Sequence, residues 1–256
     1  MGEPLRFATF NILHGRSVAD GRVDLERFAD AVKSLDADVL ALQEVDRDQP
    51  RSHLADFTEV AAQATGAVAH RFVAAVAGTP GATWMAATGS EQPGTATYGI
   101  ALLSRYPVRS WQVLRLPAIP FRFPMWLPGP RKVLVVHEEP RAAVVAAVET
   151  PLGCITVANT HLSFVPGWNR LQLHRLRRDL AIFDDPLVLM GDLNLPSPVP
   201  AQITGYRPLS DGLTFPADAP DRQLDHILAR GELPPVRDCS IRTLPLSDHR
   251  AVVVDV

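Results

Sequence analysis

The sequence predicts an α/β fold in which two β-sheets pack face to face and a few helices lie outside them. Two observations lead there. Ten short apolar runs of strand length recur along the 256 residues, and only three stretches carry a helical period. A doubly wound parallel sheet would place a helix between most strands, and this chain has too few. No repeat of roughly 20–50 residues and no linker interrupts the pattern, so residues 1–256 are expected to form one domain.

The strand candidates are Leu5–Phe10, Val39–Leu42, Val68–Val76, Ile100–Leu103, Val108–Leu114, Ala142–Val148, Cys154–Ala158, Leu187–Met190, Leu224–Leu228 and Ala251–Val254, each bounded by turn residues. Asp24 is the expected N-cap of a helix over Leu25–Leu35, which places Leu25, Phe28, Ala29, Val32 and Leu35 on one face. A second helix, Leu54–Thr65, closes on Gly66 as its C-cap. The third, Gly167–Phe183, interleaves Leu171, His174, Leu176 and Leu180 with arginines. Two segments break the rhythm. Gly78–Thr97 is rich in Gly, Thr and Pro and reads as a long loop. Leu116–Pro130 carries five prolines with Phe121, Phe123 and Trp126, and cannot be a central strand because proline donates nothing to a ladder.

Composition narrows the function classes. Hydrophobic residues make up 46% of the chain, enough for a sizeable core, and the net charge of −3 gives little electrostatic reason for nonspecific nucleic-acid binding. Arg170, Arg175, Arg177 and Arg178 cluster in the third helix and read first as a solvated face. Cys154 and Cys239 lack the paired spacing of a zinc site. Cys154 sits in an apolar strand pattern as a small core residue, and a single long-range disulfide stays open. The N-terminus runs straight into a strand, and no apolar run approaches the roughly 18 residues of a membrane span. The expectation is a cytoplasmic monomer with no transmembrane segment.

The chemistry sits where apolar runs end. Asn11, Glu44, His161, Asp192, Asn194, Asp225, Asp248 and His249 each lie beside such a run, so one buried sheet edge can gather them all. Four carboxylates, two imidazoles and two amides at one edge suit metal-assisted hydrolysis of a phosphate ester. Glu44 is a hard oxygen ligand for Mg²⁺ or Mn²⁺, though alone it reads as a solvated strand-end charge. Asp192 and Asn194, two residues apart after Gly191, share a side of an extended chain and can hold a water between them. Alone, they read equally well as an Asx-turn. Asp248 and His249 are neighbours and point to different sides, so another carboxylate must orient the imidazole, and Asp225 is the best placed. His161 can donate to a phosphate oxygen. Eight suitable polar residues at strand ends by accident is the weaker reading.

The motifs NILHG, LQEVD, YGIALLSR, EPRAAVVAAV, NTHL, GDLN, LDHI and SDHRAV, in that order, resemble the endonuclease/exonuclease/phosphatase superfamily, also called the pancreatic-deoxyribonuclease-like fold. The resemblance runs from Phe7 to Val254. It implies a four-layer α/β sandwich with two mixed sheets, and Mg²⁺- or Mn²⁺-dependent hydrolysis of phosphoric esters. It further implies Glu44 as the principal metal ligand, with Asn11 and Asp248 beside it. Asp192 and Asn194 match the pair that positions or activates the attacking water, His249 the catalytic imidazole, Asp225 its orienting carboxylate, and His161 a second histidine at the scissile phosphate. Which of Asp192 and His249 takes the proton from water stays open. Leu13 stands where abasic-site endonucleases carry an acidic residue, and His14 has no assigned role. Tyr98 matches a substrate-contacting tyrosine with its offset displaced by one. Arg141 either reaches a phosphate or forms a salt bridge on its strand, the latter being preferred.

Substrate choice belongs to the loops. Gly78–Thr97 contains no Lys or Arg and one acidic residue, Glu91, whereas a nuclease loop would be basic. Leu116–Pro130 is apolar and aromatic, with Arg122 inside and Arg131 and Lys132 at its end, which suits a lipid or apolar substrate with a phosphate head group. The alternative reading of that loop is packing on the protein's own core. A lipid or small phosphoester substrate is therefore expected first, DNA or RNA second, and a non-catalytic binding module third.

Overall fold

The computed structural model describes residues 4–120, 122–127, 132–136 and 138–256, with backbone alone over 123–127 and 132–136. The chain begins with β1 (Arg6–Asn11), α1 (Leu25–Ser34), β2 (Val39–Arg47), α2 (Phe57–Thr65), β3 (Ala69–Gly78), β4 (Trp84–Ala86), β5 (Thr97–Ser104) and β6 (Val108–Leu116). A hairpin of β7 (Phe123–Leu127) and β8 (Lys132–Val136) follows. The second half holds β9 (Arg141–Thr150), β10 (Gly153–His161), α3 (Trp168–Leu180), β11 (Leu187–Asp192), α4 (Val199–Thr204), β12 (Arg207–Pro208), β13 (Asp225–Arg230), β14 (Asp238–Arg242) and β15 (Ala251–Asp255).

One sheet has the strand order β14-β15-β1-β2-β5-β3-β4, the other β12-β13-β11-β10-β9-β6. Both are mixed, because β1 runs parallel to β2 and β10 parallel to β11 while their other pairings are antiparallel. The central strands are apolar without alternation because both faces are covered. Phe7, Val39 and Ala41 meet Val157, Val188 and Met190 of the other sheet. Their chain neighbours Ala8, Phe10, Leu40 and Leu42 turn outward against Phe28 and Val32 of α1 and Ala61 of α2. On the far side, Leu173, Leu176 and Leu180 of α3 cover Leu187, Leu189 and Leu228. The result is four layers, with helices outside two facing sheets. Each fully buried Phe or Leu in these layers contributes about 1.5–3 kcal/mol.

Helix ends follow local chemistry. Asp24 accepts hydrogen bonds from the backbone N–H groups of Glu26 and Arg27, both at 3.0 Å. α2 starts at Phe57, three residues after Leu54, because Asp56 takes the N-cap and accepts from Thr58 and Glu59. Gly66, at φ 69°, closes it. Among the described residues no helix is long and apolar enough to cross a membrane.

Two expectations change. Cys154 is exposed, because the inward run of β10 starts only at Ile155 and Cys154 pairs with Glu149 at the solvent end of the ladder. Both cysteines are free. Gly78–Thr97 contains the short strand β4, paired to the end of β3. Part of Leu116–Pro130 forms a strand of a hairpin belonging to neither main sheet, in agreement with the expectation that it is not a central strand. Phe121 and residues 128–131 lie outside the described residues, as do the side chains of Phe123, Trp126 and Lys132, so the expected apolar face of this segment falls outside the description.

Candidate active site

β1 and β11 end, and β13 begins, at the same edge of the two sheets, where β10 ends on His161. Asn11, Asp192, Asp225 and His161 arrive there as terminal residues of these strands. The join between sheets is polar directly beneath them. Asn159 donates to the carbonyls of Leu42 (3.0 Å) and Ala101 (2.7 Å) and accepts from Gln43 (2.8 Å), all fully inside. Neither Asn159 nor Gln43 stood out in the sequence, since an amide in an apolar run gives no sign of reaching across to another sheet.

Glu44 reaches the edge through a bulge. The register between β2 and β5 shifts between Gln43 and Val45, and Glu44 has φ 57°. Val45, not Glu44, thereby continues the helix-facing series of Leu40 and Leu42. The carboxylate is released from the core side and lines the cavity. A left-handed glutamate costs about 1 kcal/mol or more. Gly191 does the equivalent work on β11. At φ 138°, a Cβ there would lie 1.9 Å from the Thr160 carbonyl oxygen, so only glycine lets β11 close on β10 one residue before Asp192.

These features leave a cavity of about 520 Å³ onto which Glu44, Tyr98, Arg141, His161, Asp192, Asn194 and His249 all open. Asn11 supports it from beneath, its Nδ2 donating to Glu44 Oε1 at 3.1 Å and to Asp192 Oδ2 at 3.0 Å. Asp225 is fully buried and its Oδ2 lies 2.8 Å from His249 Nδ1. His249 Nε2 lies 3.7 Å from Asp192 Oδ2, and Phe215 packs on the ring at a centroid distance of 4.8 Å. The Asn194 backbone N–H donates to Asp192 Oδ1 at 2.9 Å, while its side-chain amide donates to the Leu162 carbonyl and sits 3.3 Å from His161 Nε2. Asp248 is the exception. It is half-buried and lines a separate groove with Ser17 and Val18, its charge acting on Glu44 and His249 from behind.

Burial and charge set the protonation of the group. Burial pushes the Asp192 carboxyl up to about 7 against the pull of His249. Burial opposes the His249 cation, but the charges of Asp225 and Asp192 and the Asp225 hydrogen bond outweigh it and raise the imidazole to about 10. His161 goes the other way: burial, then the charges of Arg141 and His249, hold it well below 6.5 and neutral. Burial raises the Glu44 carboxyl, with the Asn11 hydrogen bond working against that. His14, outside the cavity, is lowered to about 4 by burial and Arg51.

The donor set suits a hard divalent cation. Glu44 presents carboxylate oxygen to the cavity with Asn11 as its hydrogen-bond donor, and no cationic side chain pairs with it among the described residues. Asp192, Asp225 and His249 also offer one ligand atom each within 4.8 Å of one another, a cluster that could hold a metal. Arg141 and Tyr98 are both buried at the cavity wall, with Arg141 Nη2 3.2 Å from Glu138 Oε1 and the Arg51 guanidinium 5.4 Å above the Tyr98 ring. Sequence reasoning missed Trp84, Phe164, Glu138 and Glu139, which also line the cavity. Glu139 is the first residue of the EPR motif and Glu138 directly precedes it, so this adjacent pair of acids was the available signal.

Residues 8–249 match the model of the Endonuclease/Exonuclease/phosphatase family. No curated protein matches the sequence significantly. Among solved structures, an endonuclease/exonuclease/phosphatase from Beutenbergia cavernae aligns over 99% of this chain and 71% of its own, at TM-score 0.72 and 24% identity. A sphingomyelinase C from Streptomyces griseocarneus aligns over 100% of both chains at TM-score 0.62 and 17% identity. A humanized D. rerio TDP2 covers 99% of each at TM-score 0.63 and 13% identity. At these identities the likeness is one of fold.

Proposed function

The chain belongs to the endonuclease/exonuclease/phosphatase family, and from that premise we propose that it is a divalent-metal-dependent hydrolase of phosphoric esters, acting on a lipid or small-molecule phosphoester. The observation that carries this is the Asn11 side chain. One amide donates to Glu44, the carboxylate fit to hold Mg²⁺ or Mn²⁺, and to Asp192, the carboxylate fit to hold a water. The ligand side and the water side are thereby fixed to each other at one cavity.

In this reading Glu44 and Asn11 would hold the cation, with the Asp248 charge acting on Glu44 from the neighbouring groove, and the cation would polarise a phosphoryl oxygen and offset developing charge. Asp192 and the Asn194 amide position the attacking water. Asp225 fixes the tautomer and tilt of His249, and the Asp192–His249 pair holds the proton removed from water. His161, neutral, and Arg141 face the phosphoryl oxygens from the cavity wall. A nuclease is the second reading, favoured by the exposed Arg170, Arg177 and Arg178 of α3. Against it, Arg170 and Arg178 line a groove other than the cavity, and the cavity wall carries Glu138 and Glu139.

The test is a panel of bis(p-nitrophenyl) phosphate, sphingomyelin, inositol phosphates, plasmid DNA and single-stranded RNA, each with Mg²⁺ or Mn²⁺. Hydrolysis of a lipid or small ester is expected, and it should be abolished in excess EDTA. Glu44→Gln should need far more Mg²⁺ or lose turnover altogether while keeping its circular-dichroism spectrum. Full activity of the wild type in EDTA, or of Glu44→Gln at low Mg²⁺, would overturn the metal assignment.

A further inference from the structure

Among the described residues, the charged side chains around the cavity pair off except for Glu44 and Glu139. Arg51 is held by Asp46 through two hydrogen bonds of 2.8 and 2.7 Å. Arg141 is held by Glu138 at 3.2 Å. His249 is held by Asp225. Glu44 faces the place proposed for the divalent cation, which a phosphodiester monoanion would bring close to neutrality. Glu139 remains. Its carboxylate is half-buried at the cavity wall, with no hydrogen bond and no ion pair among the described residues. Burial and the neighbouring Glu138 push it up against the opposing charges of Arg141 and Arg51.

The wall around Glu139 is built, not merely acidic. Glu138 is 1% exposed and Arg141 6% exposed, and each keeps a polar atom without a partner at this cavity, Glu138 Oε2 and Arg141 Nε. Three aromatic side chains, Trp84, Tyr98 and Phe164, line the same space. A carboxylate whose cationic neighbours Arg141 and Arg51 stay beyond ion-pair distance, in a cavity lined by aromatic side chains, is an arrangement that attracts an ammonium group: the charge meets the carboxylate and its methyl or methylene shell meets the rings. A polyanion would bring further negative charge to this wall and is disfavoured there.

We propose that Glu139, with Trp84 and Tyr98, forms a subsite for a cationic ammonium group, and that the preferred substrate is a zwitterionic phosphodiester whose ammonium lies beside the reacting phosphate. This rests on the phosphoester reading above and goes further by naming the charge that the rest of the substrate carries. No covalent step is added. Glu139 acts on binding and specificity, with the hydrolytic groups left as described.

The test compares two esters of the same shape. p-Nitrophenyl phosphorylcholine carries the ammonium, and p-nitrophenyl 3,3-dimethylbutyl phosphate replaces its nitrogen by carbon. With Mg²⁺ or Mn²⁺, the wild-type enzyme should favour the choline ester by about tenfold in kcat/KM, mostly through KM. Glu139→Gln should bring that ratio close to one, and Glu139→Asp, which keeps the charge, should retain part of it. Thermal melts of the variants separate this from a folding defect. Absence of preference in the wild type, or an unchanged preference in Glu139→Gln, overturns the subsite. Calorimetric titration with phosphocholine and with 3,3-dimethylbutyl phosphate reads the same selectivity without turnover. If neither ester is hydrolysed, the phosphoester reading fails, while the titration still decides the subsite: selective binding lost in Glu139→Gln supports it, and equal binding of both ligands overturns it.

Discussion

The two imidazoles of the cavity stand within 3.4 and 3.7 Å of the same Asp192 oxygen, yet they are driven to opposite protonation states. His249 comes from the loop before β15 in one sheet and meets the buried Asp225 of the other. His161 ends β10, meets the amide of Asn194, and has Arg141 as its charged neighbour. Burial penalises the cation in both, so burial alone cannot separate them. The difference is the charge beside each ring: Asp225 at hydrogen-bonding distance, with Asp192, raises His249, whereas the cations of Arg141 and His249 lower His161. Two histidines of one site thus become one proton-holding group and one neutral donor, and the fold decides which is which.

The largest expected effect breaks the His249 side. Asp225→Ala and His249→Ala should each lower the hydrolytic rate by about a hundredfold or more, and the double variant should lose little beyond either single one, because the pair acts as a unit. Multiplicative losses would mean that the two residues work separately.

The second is read in stability. His249 rises from 6.5 to about 10 on folding, so the stability it contributes is fully present below about pH 6.5 and is lost as pH rises through about 10. Asp192, raised to about 7, has its titration mostly behind it above about pH 8. In EDTA, the melting temperature of the wild type should therefore fall between pH 8 and 10 more steeply than that of His249→Gln. Parallel curves would show that the Asp225 pairing does not raise this imidazole.

The smallest sharpens the contrast. His161→Gln keeps a donor near the same place and should cost about tenfold in rate, in line with one altered hydrogen bond, with the alkaline limb of the pH profile unmoved. A loss as deep as that of His249→Ala would erase the distinction between the two imidazoles.

Much of this was legible from residues near one another in the chain. Apolar runs with turn residues at their ends marked the strands, Asp24 and Gly66 marked helix ends, and polar residues just beyond the runs marked the edge. The opposed directions of Asp248 and His249 called for another carboxylate, and Asp225, the best-placed candidate on pattern, pairs with His249 although the two lie 24 residues apart. Cys154 was misread as core because an apolar pattern does not say where a strand leaves the sandwich. Glu138 and Glu139 were passed over because two adjacent acids before a strand look like solvated charge.

The sequence by itself determined the local period of each element, its caps, and the inventory of groups available to the site, since these depend on neighbours within a turn or a strand pleat. Tertiary structure decided the rest. The bulge that frees Glu44, the close approach that requires Gly191, the reach of Asn159 across the sheets and the opposite titration of the two histidines are all set by atoms distant in the chain and adjacent in space. Packing and desolvation act through space, and no window of sequence contains them.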